Sequence, residues 1–215
     1  MATIDSEAVK RDNEAIIRKH GGQICDWLPW PDPDAPQRDV QAVARRALVL
    51  NAMLQIAFKA PIRIIQQWIS ANGLDDDLVE SERAILAKTN AELTEQEQAN
   101  LFWYLEALWA LAWAGGLIDQ LPFDKPVGNN LASLSPNLQQ NEDGSKFLKH
   151  MRLRPHEDLF RMLDLYYRLH WWTRNAELQG QQTGNVSIDI IMERRKALEW
   201  VLNAEDDWDN VEMST

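Results

Sequence analysis

The chain has 215 residues, a length that suits one domain of ordinary size, and no Pro-, Gly- or Ser-rich linker divides it. Its formal charge of −11, from 33 acidic against 22 basic residues, excludes a surface built to track nucleic-acid phosphates and points to basic or cationic partners. One cysteine, Cys25, excludes an intramolecular disulfide and fits a reducing compartment, so the expected location is cytoplasmic.

Helical spacing dominates, and no stretch sustains period-two alternation. The predicted fold class is therefore all-α: a single globular multi-helix domain over residues 1–215, around a buried central Trp-rich helix. The N-terminal segment is too charged to hold a secretory signal. Within 1–37, Ser6 is expected to cap a first amphipathic helix with Val9, Ile16 and Ile17 on its apolar side, ending at Gly21-Gly22. The next stretch, WLPWPDPDAP, has Pro29, Pro31, Pro33 and Pro36, which forbid a helix. Trp27, Leu28 and Trp30 are expected to pin this strap onto the helices.

A second helix is predicted from about Arg38 to Phe58, with Val43, Ala47, Leu50 and Leu54 inward. Pro61 opens a third, carrying Ile64, Ile65, Trp68 and Ile69 and closed by Asn72-Gly73. The run Asp75, Asp76, Asp77 suits the first turn of another helix, where carboxylates meet the positive end of the dipole. Thr94 and Glu97 form a T-x-x-E capping box for the central helix, which Gly115-Gly116 stops. Leu101 to Ile118 approaches membrane-spanning length, but Glu106, the double glycine and acidic flanks argue for a core helix and no membrane partner. Residues 121–145 read as an irregular, mobile excursion with at most a short helix at Leu131 to Leu134. Pro155 begins a long helix whose inner stripe is Met162, Leu165, Leu169, Trp172 and Ala176. A last helix, Ser187 to Asn203, precedes an acidic tail, EDDWDNVE, expected to be solvated.

Motifs for chemistry are missing. No His has a Glu three residues before it, H-E-x-x-H lacks its second His, and the lone Cys removes zinc-ribbon patterns, so no metal is expected. The tail carboxylates lack EF-hand spacing, and no phosphate-binding glycine loop or G-x-S-x-G occurs, so no cofactor is expected either.

The residue that stands out is Glu106, a single charge on an otherwise apolar helix, with Phe102, Trp109 and Trp113 on its side at i−4, i+3 and i+7. A carboxylate there must find a cation or be protonated. Arg194 and Arg195, each sharing a stripe with apolar residues of the last helix, are candidate partners, and the long helix offers Arg168, His170 and Arg174. The candidate pocket is thus Glu106, Trp109, Trp113, Arg168, His170, Arg194 and Arg195. Two readings stand open: a polar pocket with Glu106 as acid or base, or a structural network that fixes helix register.

Four stretches, W103-Y-L-E-A-L-W-A-L-A-W113, Y167-R-L-H-W171, E193-R-R-K-A-L-E-W200 and W208-D209, resemble in order and spacing the signatures of the bacterial domain-of-unknown-function family numbered 4272, from about Arg45 to Val211. The resemblance implies a mainly helical domain and transfers no activity, ligand or catalytic residue. The chain departs from the family's pattern at two places: Gly115, where a larger residue is usual, and Met213-Ser214, where an acidic residue is typical. Without catalytic motifs, the acidic charge favours a non-enzymatic cytoplasmic protein-binding domain with a basic protein partner, of which an immunity-type antagonist of a bacterial toxin is the sharpest form. The alternative is an uncharacterised enzyme or small-ligand binder around Glu106, His170 and Arg194. A dimer through a Trp-rich face is open.

Overall fold

The computed structural model describes residues 4–215; the first three residues of the expected N-terminal segment lie outside them. Among the described residues there are nine α-helices and no strand: α1 (Ser6–Lys19), α2 (Val40–Ala57), α3 (Ile62–Ala71), α4 (Glu80–Leu86), α5 (Glu95–Ala114), α6 (Leu131–Leu134), α7 (Ser145–His150), α8 (His156–Leu178) and α9 (Ile188–Leu202). None of them is long and apolar enough to cross a membrane.

The larger helices pack in series, α2 on α5, α5 on α9, α9 on α8 and α8 on α1, while α3 and α7 lean on α2. One hydrophobic cluster runs through this row from Val9 to Trp208. α5 explains why a helix with no polar face is stable here. Everything from Leu105 to Ala114 is buried, with α2 and α9 as neighbours, and each large side chain taken out of water contributes roughly 1.5–3 kcal/mol. Its start is set by the Thr94 box: the Thr94 amide donates to Glu97 Oε2 at 2.9 Å and the Glu97 amide to Thr94 Oγ1 at 3.2 Å. Lys88 and these donors hold the Glu97 carboxyl down at about 2. Gly115 caps its end, where a Cβ would come within 2.6 Å of Met151 Cε, so the small residue answers a methionine that fills its space.

Several local expectations are corrected. Asp5, not Ser6, caps α1, accepting from the Ala8 amide at 2.9 Å. Asp75–Asp77 form their own 3-10 turn ahead of α4, and Asp77 is spent on Arg45 at 2.5 Å instead of starting a helix. The excursion at 121–145 has its short helix where predicted, but the chain around it is tied down. Trp68 Nε1 donates to the Glu142 carbonyl (2.8 Å), the Gly144 amide to Asn72 Oδ1 (2.9 Å), and Asn51 Nδ2 to the Pro136 carbonyl (3.3 Å). Gly144 lies so close to Leu48 that a Cβ would come within 2.5 Å of it.

The largest corrections concern tryptophan. In the strap only Leu28 is buried; Trp27 is 78% exposed and Trp30 43%. The strap is held by its backbone instead, because its carbonyls have no strand or helix partner and must find donors. Arg168 donates to the carbonyls of Leu28 and Pro29, Lys10 to that of Leu28, and His156 Nε2 to that of Pro33. The acidic tail, conversely, is not simply solvated. Trp208 is buried edge-on against Trp200, with centroids 5.5 Å apart, and Asp209 accepts from the amide and hydroxyl of Ser81.

Candidate functional site

The seven candidate residues divide among separate arrangements. Glu106 and Arg194 meet between α5 and α9, where they are 1% and 0% exposed. Arg194 donates through Nε and Nη2 to Glu106 Oε2 at 2.9 and 2.7 Å, and through Nη2 to the Lys125 carbonyl at 2.9 Å. Its Nη1 donates to the Pro122 carbonyl at 2.7 Å and the Tyr166 hydroxyl at 3.0 Å. All five guanidinium N–H groups therefore have acceptors. The other Glu106 oxygen accepts the Val127 amide at 2.9 Å, and the Tyr166 hydroxyl donates to the Leu121 carbonyl at 3.3 Å. Burial pushes the Tyr166 phenol up to about 12. This closed circuit stitches the first half of the 121–145 excursion to the α5/α9 seam. It leaves no donor on Arg194 for a substrate.

Trp109 and Trp113 do not complete that circuit. Trp109 lies against Gly128, where a Cβ would come within 2.9 Å of its ring, and Trp113 carries the Arg154 guanidinium 4.8 Å from its ring centroid. Phe102, expected on the same side as Glu106, is 43% exposed and pairs edge-on with Phe58.

Arg195, one residue on, belongs to another arrangement. Its Nη1 donates to His170 Nδ1 at 2.7 Å and to the Met213 carbonyl at 3.2 Å, its Nη2 to Glu199 Oε1 and the Ser214 carbonyl, both at 3.1 Å, and its Nε to Glu199 Oε1 at 3.2 Å. Arginine cannot accept, so His170 Nδ1 is the acceptor and the ring is neutral. Burial, then the charges of Arg195 and Arg174, push His170 down to about 4. Met213 and Ser214 thus contribute backbone carbonyls, a role that needs no acidic side chain.

Arg168 forms a third arrangement, a fork onto Asp164 at 2.7 and 2.9 Å beside Asn13 and Glu14 of α1. It holds the strap as described.

Sequence reasoning missed Asp164, Glu199, Arg46 and Glu82. Asp164–Arg168 and Arg195–Glu199 are i,i+4 pairs and were readable as such. Arg46–Glu82, a buried pair joining α2 to α4, carries no signal in spacing. Among the described residues, no three His, Cys, Asp or Glu side chains gather as a metal would require. A cavity of about 550 Å³ opens beside α7, floored by Leu134, Pro136 and Phe147, and none of the seven candidates lines it.

The backbone-held strap and the residue before it expose both acidic and aromatic side chains. Asp26, Trp27, Trp30, Asp32 and Asp34 are all exposed within nine residues of chain.

Comparison with curated proteins finds no match. Comparison with solved structures finds none. The family model described as domain of unknown function (DUF4272) matches residues 9–211, nearly the whole chain, and the protein belongs to that family.

Proposed function

We propose that this is a non-enzymatic, cytoplasmic protein-binding domain that docks a basic partner through the strap. The observation that carries the reading is Trp27, 78% exposed and flanked by exposed carboxylates, on a segment whose backbone is fixed by Arg168, Lys10 and His156. A rigid, pre-ordered aromatic anchor loses little entropy on binding, and its acidic neighbours steer a basic surface toward it. An immunity-type antagonist occluding the basic active site of a bacterial toxin is the sharpest form of this role.

The test is retention of proteins from the native cell extract by the tagged chain, run beside a Trp27→Ser, Trp30→Ser variant. A basic protein held in stoichiometric amount by the parent and lost by the variant supports docking through the strap. Identical retention by both, or recovery of a bound metabolite with no protein, sinks it.

A further inference from the structure

Where the strap meets the C-terminal tail they border an open cavity of about 230 Å³. Trp30, Leu163 and Leu202 give it an apolar wall, and Asp32, Asp206 and Glu212 line it as well. Arg195 is the one cation among the lining residues, and its five N–H groups are already taken by His170, Glu199 and the Met213 and Ser214 carbonyls. Tyr167, Asn203 and Ser214 add neutral polar groups, and the charged groups left over are carboxylates. Both Asp206 carboxylate oxygens lack a hydrogen bond among the described residues, Asp32 spends one oxygen on the Asp34 amide, and Glu212 spends one on the Ser214 amide. An anion would meet several like charges and no unspent cation. A purely apolar group would strip water from carboxylates without replacing it.

We infer that this cavity receives a basic side chain, arginine or lysine, presented by the protein partner. The aliphatic stem lies on Trp30 and Leu202, and the charged head meets Asp206 and Asp32. An aromatic wall adds cation–π attraction to the charge-assisted hydrogen bonds. The inference rests on the proposed function for the source of the side chain. The preference of the cavity for a cation does not, and is tested apart from it.

The experiment is a titration of the ¹⁵N-labelled chain with N-acetyl-arginine amide, followed at the Trp30 indole signal, with N-acetyl-citrulline amide as the uncharged isostere. Trp30→Phe assigns the signal. The expected result is saturable movement of the Trp30 indole in the millimolar range with the arginine compound. Citrulline binds about tenfold or more weakly, and the Asp32→Asn, Asp206→Asn variant loses about tenfold for arginine alone. Equal binding of both compounds, saturable shifts that map elsewhere, or no saturable shift overturns the inference. If the extract experiment finds no protein partner, this titration still reads the cavity. If the strap retains a basic partner but the titration fails, the partner docks on Trp27 and Trp30 without filling the cavity.

Discussion

Arg194 and Arg195 are neighbours on α9, both are buried, and both have every N–H satisfied, yet they face opposite tasks. One residue's advance turns a helix by about 100°, enough to send Arg194 into the α5 seam and Arg195 toward the strap and tail. Arg194 spends its hydrogen bonds on a carboxylate, a tyrosine hydroxyl and loop carbonyls inside the fold. Arg195 spends its own on a neutral histidine, a half-buried carboxylate and the tail, under a cavity open to solvent. The contrast teaches that a buried charge is not by itself a sign of chemistry. What separates the two is whether unspent polar atoms surround the group, and they do so only around Arg195.

Breaking the first member of the pair should have the largest effect. Arg194→Met leaves Glu106 charged and unpaired in the core and frees the carbonyls of Pro122 and Lys125, a loss of about 3–5 kcal/mol. Urea unfolding followed by tryptophan fluorescence measures it. Adding Glu106→Leu to Arg194→Met should recover a large part, because a buried pair replaced by apolar groups costs far less than a broken one. An Arg194→Met chain as stable as the parent would show that the circuit does not hold the fold.

The same contrast shows how far the sequence reaches. The helices were legible because periodicity, prolines and the Thr94–Glu97 box are local, and Glu106 was legible because a charge on an apolar helix violates its own context. Its partner is narrowed to Arg194 and Arg195 of the last helix and the basic residues of the long one, but not to Arg194 over Arg195, since a choice between adjacent residues depends on tertiary rotation. Tryptophan marks the other limit. Trp27 and Trp208 both stand among acidic residues, and the expectation that Trp27 pins the strap while the tail is solvated is the reverse of what the fold does with the two rings. Burial of Trp208 depends on Trp200, Arg46 and Lys196 arriving from α9 and α2, whereas exposure of Trp27 follows from strap carbonyls being held by Arg168 and Lys10. Neither cause is near in sequence.

A smaller effect sharpens the comparison from the Arg195 side. His170 titrates at about 4 in the fold, against an ordinary value of 6.5, so the folded chain favours the neutral ring and the unfolded chain takes up its proton first on acidification. The stability this contributes is whole above about pH 6.5, falls as the pH drops, and levels off below about 4. Solvent reaching the neighbouring cavity screens it to about 1–2 kcal/mol. Glu193, which burial pushes up to about 7, acts in an overlapping window with the opposite sign, losing stability as the pH rises through that value. Comparing the parent with His170→Asn at each pH removes the Glu193 contribution, because both proteins carry it. The parent's advantage should shrink steadily from about pH 6.5 to about pH 4; an advantage that is flat or grows on acidification would mean that His170 is not held as a neutral acceptor for Arg195.

The smallest expected effect is the most informative about the strap. If the backbone carbonyls and Leu28 fix this segment, Trp27 contributes nothing to folding, and Trp27→Ser should change the unfolding free energy by no more than about 0.5 kcal/mol. The matching change at Trp208→Ser, which empties a buried site between Trp200 and Arg46, should be several times larger. Thermal unfolding of the two variants side by side makes the measurement. A strap that loosens when Trp27 is removed would mean that the ring does hold the fold through contacts beyond the exposed face, and the reason for regarding it as an anchor kept for a partner would go with it.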